Sequence, residues 1–196
     1  MKLMERKREI WTIPNLLSMF RVILAIAMLW VFYQPGIENK RYVIISMLVI
    51  SGLTDVLDGK IARAFHMVSE LGKLIDPFAD KLTQGVLLIC LLSQYPLIKW
   101  LLLLFVIKEG YMLVMGKKAI ERAEQNEGAM WYGKMNTVIF YAVMFLLIFI
   151  PDISYAIANV LIIISGIFMF LALILYARKY HQILAEGTMS EGSCKR

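Results

Sequence analysis

Apolar runs of roughly bilayer-crossing length follow one another along this chain, and they restrict its fold more than any other feature. They fall at about 16–33, 42–63, 74–94, 97–115, 135–150 and 153–176, each near the ~20 residues that a membrane-spanning helix needs once tilt is allowed. Turn-forming or charged segments separate them: Gln34-Pro35-Gly36, Tyr95-Pro96, Pro151-Asp152, and the polar stretches 64–73 and 116–134. With 60% hydrophobic residues and a mean hydropathy of +0.68 over 196 residues, the chain lies outside the range of an ordinary soluble domain. The expectation is an all-α integral membrane protein with six transmembrane helices and a short N-terminal amphipathic juxtamembrane helix. Residues 1–12 form the juxtamembrane segment, 13–184 one six-helix domain, and 185–196 a disordered tail.

The ends of the chain are read from charge. Lys2, Arg6, Lys7 and Arg8 stand beside Leu3, Met4, Ile10 and Trp11, a basic amphipathic pattern suited to an anionic membrane surface. No small-residue cleavage site follows the first apolar run, so that run is expected to be a retained span, opened by Pro14. The net charge of +6 lies mostly in short segments between apolar runs, where it serves topology and headgroups rather than nucleic acid. The N-terminal segment, residues 64–73 and 116–134, and the tail after Tyr176 hold most of these cations, while the alternate loops offer Lys40, Arg41 and Lys99. Both termini are therefore expected to face the cytoplasm from the cell membrane. Cys90 in an apolar run and Cys194 in the polar tail indicate no disulfide framework.

Within this oily sequence stand Asp55, Asp58, Asp76 and Asp80. A carboxylate at membrane depth is expensive, so four at regular spacing need a positive partner. Asp55 and Asp58 are i and i+3, Asp76 and Asp80 i and i+4, and each pair projects from one helix face. Facing helix ends would gather all four, and hard divalent cations are the natural counter-charge. Gly59 and Gly72 permit close approach, and Arg63 offers a planar fork for phosphate oxygens. The set reads as a two-metal site for a diphosphate substrate, near one membrane face. Arg21 in the first run either snorkels to the interface or joins this polar cavity.

The spacing D-x-x-D-G-x-x-A-R, eight residues, G-x-x-x-D-x-x-x-D from Asp55 to Asp80 resembles the signature of the CDP-alcohol phosphatidyltransferase family. Ile13-Pro14-Asn15-Leu16-Leu17-Ser18-Met19-Phe20-Arg21 resembles the opening of its bacterial phosphatidylglycerophosphate synthase and cardiolipin synthase branch. The resemblance implies CDP-diacylglycerol as donor, release of CMP, two Mg²⁺ or Mn²⁺ ions, and a homodimer. It implies that Asp55, Asp58 and Asp76 ligate metal, and that Asp80 is the general base and also touches the second metal. Asp58, Gly59, Ala62 and Arg63 would meet the cytidine diphosphate, with Asn15, Thr54 and Gly72 completing that set.

For the acceptor, Lys134, Lys108 and Lys81 are candidate ligands of an anion such as glycerol 3-phosphate, which would give phosphatidylglycerophosphate. Gly133-Lys134 with Thr137 resembles a motif of those synthases. For Lys81 and Lys134 a salt bridge to a site Asp, or a headgroup contact, is the equal alternative. Phosphatidylglycerol (as in cardiolipin synthesis), inositol phosphate and serine are the variant acceptors within the family. Outside it, a membrane prenyltransferase would share the Asp-rich helices but not Gly59, Ala62, Arg63 and Gly72. A divalent-cation transporter would need its carboxylates along a midplane path.

Overall fold

The first apolar run becomes helix α1, Ile13–Tyr33. Pro14 sits in its first turn, where a missing N–H costs nothing, and Thr12 provides extended backbone at the N-cap without a side-chain bond. The Gln34 N–H closes the helix on the Trp30 and Val31 carbonyls, and Pro35-Gly36 turns the chain. Asn39 adopts a left-handed conformation, φ 58°, which asparagine tolerates better than most residues. Lys40 then reaches back, its Nζ donating to the Phe32 carbonyl at 3.2 Å. Helix α2, Lys40–Ala64, follows directly and packs on α1.

The computed structural model describes residues 12–37, 39–64, 72–123, 130–150 and 152–193. Beyond α1 and α2 the helices are α3 (Gly72–Leu92), α4 (Ile98–Ala123), α5 (Trp131–Phe149) and α6 (Tyr155–Ser193), with no strand among the described residues. The juxtamembrane helix expected at residues 1–12 lies outside the described residues except for Thr12. Two compact units divide the chain, Met1–Ser93 with Ile148–Pro151, and Gln94–Leu147 with Asp152–Arg196.

In the first unit α1 packs on both α2 and α3. Its buried stripe runs Asn15, Ser18, Arg21, Ala25, Met28 and Val31, the 3-and-4 spacing of one helix face. The upper half of that face is apolar and the lower half polar. Helix α2 buries Ile44, Ser51 and Asp58 at seven-residue intervals while Tyr42, Val43, Val49, Ile50, Leu53, Val56 and Leu57 are exposed. Only 17% of its Lys40–Ile61 span is buried within the protein, an apolar exterior that lipid satisfies and water would not. Helix α3 is buried through Thr83, Gln84, Val86, Leu87, Leu88, Cys90 and Leu91.

In the second unit α4 packs on α6, with Leu101 Cδ1 close enough to lie 3.8 Å from where a Cβ on Gly166 would sit. Phe105 and Phe140 stack with ring centroids 6.4 Å apart. Near the start of the unit the Tyr155 hydroxyl donates to the Gln94 carbonyl at 2.9 Å. At the other end of α6, Tyr176 meets Tyr132 edge-on at 4.7 Å and its hydroxyl is hydrogen-bonded to the Met130 backbone.

Among the described residues four helices are long and apolar enough to cross a membrane: Pro14–Tyr33, Lys40–Ile61, Trp131–Phe149 and Tyr155–Leu184. The protein is an all-α integral membrane protein. Helices α3 and α4, of 21 and 26 residues, are long enough too, but they carry Asp76, Asp80 and Lys81, and Lys99, Lys108 and Glu109. Helix α6 continues to Ser193, into the segment from 185 onward whose polar composition predicts disorder. Extending an existing helix fixes one residue per hydrogen bond and escapes the nucleation cost that would keep the same residues unfolded alone.

Candidate active site

Three helices of the first unit contribute side chains to one polar cluster. α2 supplies Asp55 and Asp58, α3 supplies Asp76 and Asp80, and α1 supplies Ser18 and Arg21. The Arg21 guanidinium is the centre: Nη1 donates to Asp55 Oδ1, Nη2 donates to Asp58 Oδ2 at 3.0 Å, and Nη2 lies 3.5 Å from Asp76 Oδ1. Arg21 does not snorkel. Its side chain is 3% exposed, as against 57% for Asp55 and 43% for Asp76, so the cluster has a closed floor of Arg21 and Asp58 and an open rim of Asp55 and Asp76.

Each carboxylate has local support. Asp58 accepts the Gly59 backbone N–H. Asp76 accepts from the Ser18 hydroxyl, which also lies 2.9 Å from the Pro14 carbonyl; with a single proton to give, the hydroxyl favours the charged acceptor. Pro77 inside α3 leaves one carbonyl of the preceding turn without its usual donor. One turn beyond Asp76, Asp80 accepts from Gln84 Nε2 at 3.1 Å and lies 3.7 Å from Lys81 Nζ. Asp55 feels the charges of both Asp76 and Asp80, and Asp58 those of Asp76 and Asp55. All four carboxylates thus share one electrostatic site.

The donor set suits hard cations. Every potential ligand is a carboxylate oxygen, and three carboxylates from two helices already surround a positive group. Among the described residues no three metal-ligating side chains stand in metal-binding geometry; Asp55, Asp58 and Asp76 are arranged around the guanidinium. CDP-alcohol phosphatidyltransferases are generally divalent-cation dependent.

The remaining candidates are placed as follows. Gly72 is buried at the first position of α3, and Asn15 is buried on α1, one turn before Ser18 on the same face. The Thr54 hydroxyl bonds back to its own helix, 2.8 Å from Ser51 O and 3.0 Å from Ile50 O. The backbone of Ala62 and Arg63 closes α2; their side chains lie outside the described residues. Lys81 faces Asp80, which is the salt-bridge alternative raised for it. In the second unit Lys108 is buried and ion-paired with Glu109 at 2.5 Å, and Lys134 is exposed in the first turn of α5.

Ser18 and Gln84 belong to the site although the sequence does not single them out. Their signal is positional: Ser18 lies three residues before Arg21, and Gln84 four after Asp80, the spacings at which helix side chains become neighbours.

A family model for CDP-alcohol phosphatidyltransferases matches residues 11–178. A cardiolipin synthase (CMP-forming) of Streptomyces coelicolor is 37% identical over 110 residues, 55% of this chain and 51% of that protein. A probable cardiolipin synthase of Drosophila melanogaster is 35% identical over 113 residues, 57% of this chain and 34% of its own length. The CDP-diacylglycerol–glycerol-3-phosphate 3-phosphatidyltransferase of Haemophilus influenzae is 30% identical over 131 residues, 65% of this chain and 70% of that enzyme. The chain thus spans about half or less of the two cardiolipin synthases and over two thirds of the glycerol-3-phosphate enzyme. This chain belongs to the CDP-alcohol phosphatidyltransferase family.

Proposed function

We propose that the protein transfers a phosphatidyl group from CDP-diacylglycerol to glycerol 3-phosphate, releasing CMP and forming phosphatidylglycerophosphate. The observation that carries the reading is the convergence of Asp55, Asp58 and Asp76 on one positive group at the end of α2 and start of α3. Asp55, Asp58, Asp76 and Asp80 would hold two Mg²⁺ or Mn²⁺ ions, which would supply Lewis-acid neutralisation of the donor diphosphate. Asp80 takes the proton of the acceptor hydroxyl as its oxygen bonds to the diacylglycerol-bearing phosphorus, and the bond from that phosphorus to CMP breaks. Gln84 fixes the Asp80 carboxylate for this task. Asp58, Gly59, Ala62 and Arg63, with Asn15, Thr54 and Gly72, hold the cytidine diphosphate. Lys134, Lys108 and Lys81 serve the acceptor phosphate.

The protein crosses the cytoplasmic membrane six times in this reading, α3 and α4 included, with both termini and the site toward the cytoplasm and two copies forming a homodimer. Phosphatidylglycerol is the second acceptor, favoured by the identity to the Streptomyces and Drosophila cardiolipin synthases. The test is CMP release by the purified protein with CDP-diacylglycerol and Mn²⁺ or Mg²⁺, offering each acceptor separately beside Asp80→Asn. Release with glycerol 3-phosphate alone, abolished in the variant, supports the leading reading. Release with phosphatidylglycerol alone replaces it with the second, and no release with any alcohol ends both.

A further inference from the structure

We propose that Arg21 is a built-in competitor of the divalent cations: it holds the carboxylate oxygens that the cations require, and cation entry displaces it from at least one of Asp55, Asp58 and Asp76. The inference rests on the cation-dependent reading above and adds to it a residue outside the Asp signature.

Three observations carry it. The first is that Arg21 engages three of the four carboxylates at once, with both terminal nitrogens committed to them. A carboxylate oxygen giving its lone pair to a guanidinium N–H offers correspondingly less to a metal. The second is that the guanidinium is incompletely served where it lies: its Nε is buried with no hydrogen-bond partner among the described residues, a deficit that a shift of the side chain can relieve. The third is that the rim carboxylates Asp55 and Asp76 are open while Asp58 is not. Cations approaching from the rim meet Asp55 and Asp76 first, and Arg21 retains Asp58 until last.

A guanidinium next to the cation sites also repels the cations directly. Its removal therefore acts on affinity in one direction. A neutral residue of similar bulk, Arg21→Met, frees the three carboxylates and tightens binding of the first Mn²⁺. It also leaves three anions facing one another, so the protein without added metal becomes less stable. Arg21→Lys keeps the charge but loses the planar two-nitrogen grip, and falls between.

The experiment measures binding of Mn²⁺ alone, without lipid substrate, to the full-length protein in detergent at pH 7, by the electron paramagnetic resonance signal of free Mn²⁺. The unfolding temperature with chelator and with saturating Mn²⁺ is measured in parallel. Expected is affinity about tenfold tighter or more in Arg21→Met, the scale of one charge-assisted hydrogen bond released. The metal-dependent rise in unfolding temperature should be larger than in the wild type, with Arg21→Lys intermediate in both. Unchanged or weaker Mn²⁺ affinity in a folded Arg21→Met, while the wild type binds, overturns the competitor role and leaves the metal site standing. Should Arg21→Met not fold, an Arg21→Lys affinity equal to or weaker than wild type overturns it equally. No Mn²⁺ binding by the wild type overturns this inference and the two-metal reading together.

Discussion

Gly133→Ala is expected to destabilise the second unit through a single contact. A Cβ at Gly133 would land on the Tyr176 hydroxyl and come within 3.1 and 3.2 Å of two ring carbons. Tyr176 has little freedom to yield. It is 7% exposed, meets Tyr132 at 4.7 Å, lies 5.9 Å from Tyr180, and its hydroxyl is hydrogen-bonded to the Met130 backbone. Overpacking of this kind costs about 1–3 kcal/mol, and breaking the Met130 bond adds about 1 kcal/mol. The better helix propensity of alanine returns at most about 1 kcal/mol. The net loss is about 1–3 kcal/mol, or a fall of about 3–10 °C in the unfolding midpoint for a chain of this size. Thermal unfolding in detergent measures it, with Gly110→Ala as the comparison, since nothing lies within 4 Å of a Cβ there and that variant should be neutral or slightly stabilised. The double variant with Tyr176→Phe removes the nearest atom and should recover part of the loss, giving a favourable coupling in the cycle. A Gly133→Ala protein as stable as Gly110→Ala, or a strictly additive cycle, would refute the contact argument.

Three further outcomes are expected. Ser18→Ala removes the hydroxyl that Asp76 accepts from and should destabilise the metal-free protein by about 1–3 kcal/mol, the scale of a lost hydrogen bond to a charged group; thermal unfolding in detergent with chelator reads it. Gln84→Leu removes the donor to Asp80 and should lower kcat by at least tenfold with the KM for CDP-diacylglycerol nearly unchanged, the pattern of a residue acting through a base. Lys134→Ala should raise the KM for glycerol 3-phosphate while sparing that for CDP-diacylglycerol; equal effects on both would remove Lys134 from the acceptor set.

The apolar runs and the Asp spacing were legible in the sequence because both are local patterns. A helix repeats every 3.6 residues, so Asp55 with Asp58 and Asp76 with Asp80 could be placed on helix faces before any packing was known. What Arg21 does could not be read this way. Its partners lie 34, 37 and 55 residues away in sequence, and only the packing of α1 on both α2 and α3 brings them together. Ser18 and Gln84 were hidden for a different reason: neutral hydroxyls and amides are tolerated in membrane helices and attract attention only once the charge they serve is located. The continuation of α6 to Ser193 is not legible in composition, which describes residues in isolation, whereas helix extension depends on what precedes them.

The polar half of the α1 stripe has a consequence for how the protein enters a bilayer. Arg21 lies near the middle of α1, where a lone arginine costs about 2.5–3.5 kcal/mol at insertion. The apolar residues around it, mean hydropathy 2.1 across Pro14–Tyr33, can carry α1 into lipid, but with its guanidinium unsatisfied until α2 delivers Asp55 and Asp58. A nascent chain halted after α1 should therefore sit shallow, drawn toward the headgroups. It should move to full depth only when the aspartates emerge, so that charge pairing, rather than hydrophobicity alone, sets the moment at which α1 settles in the membrane.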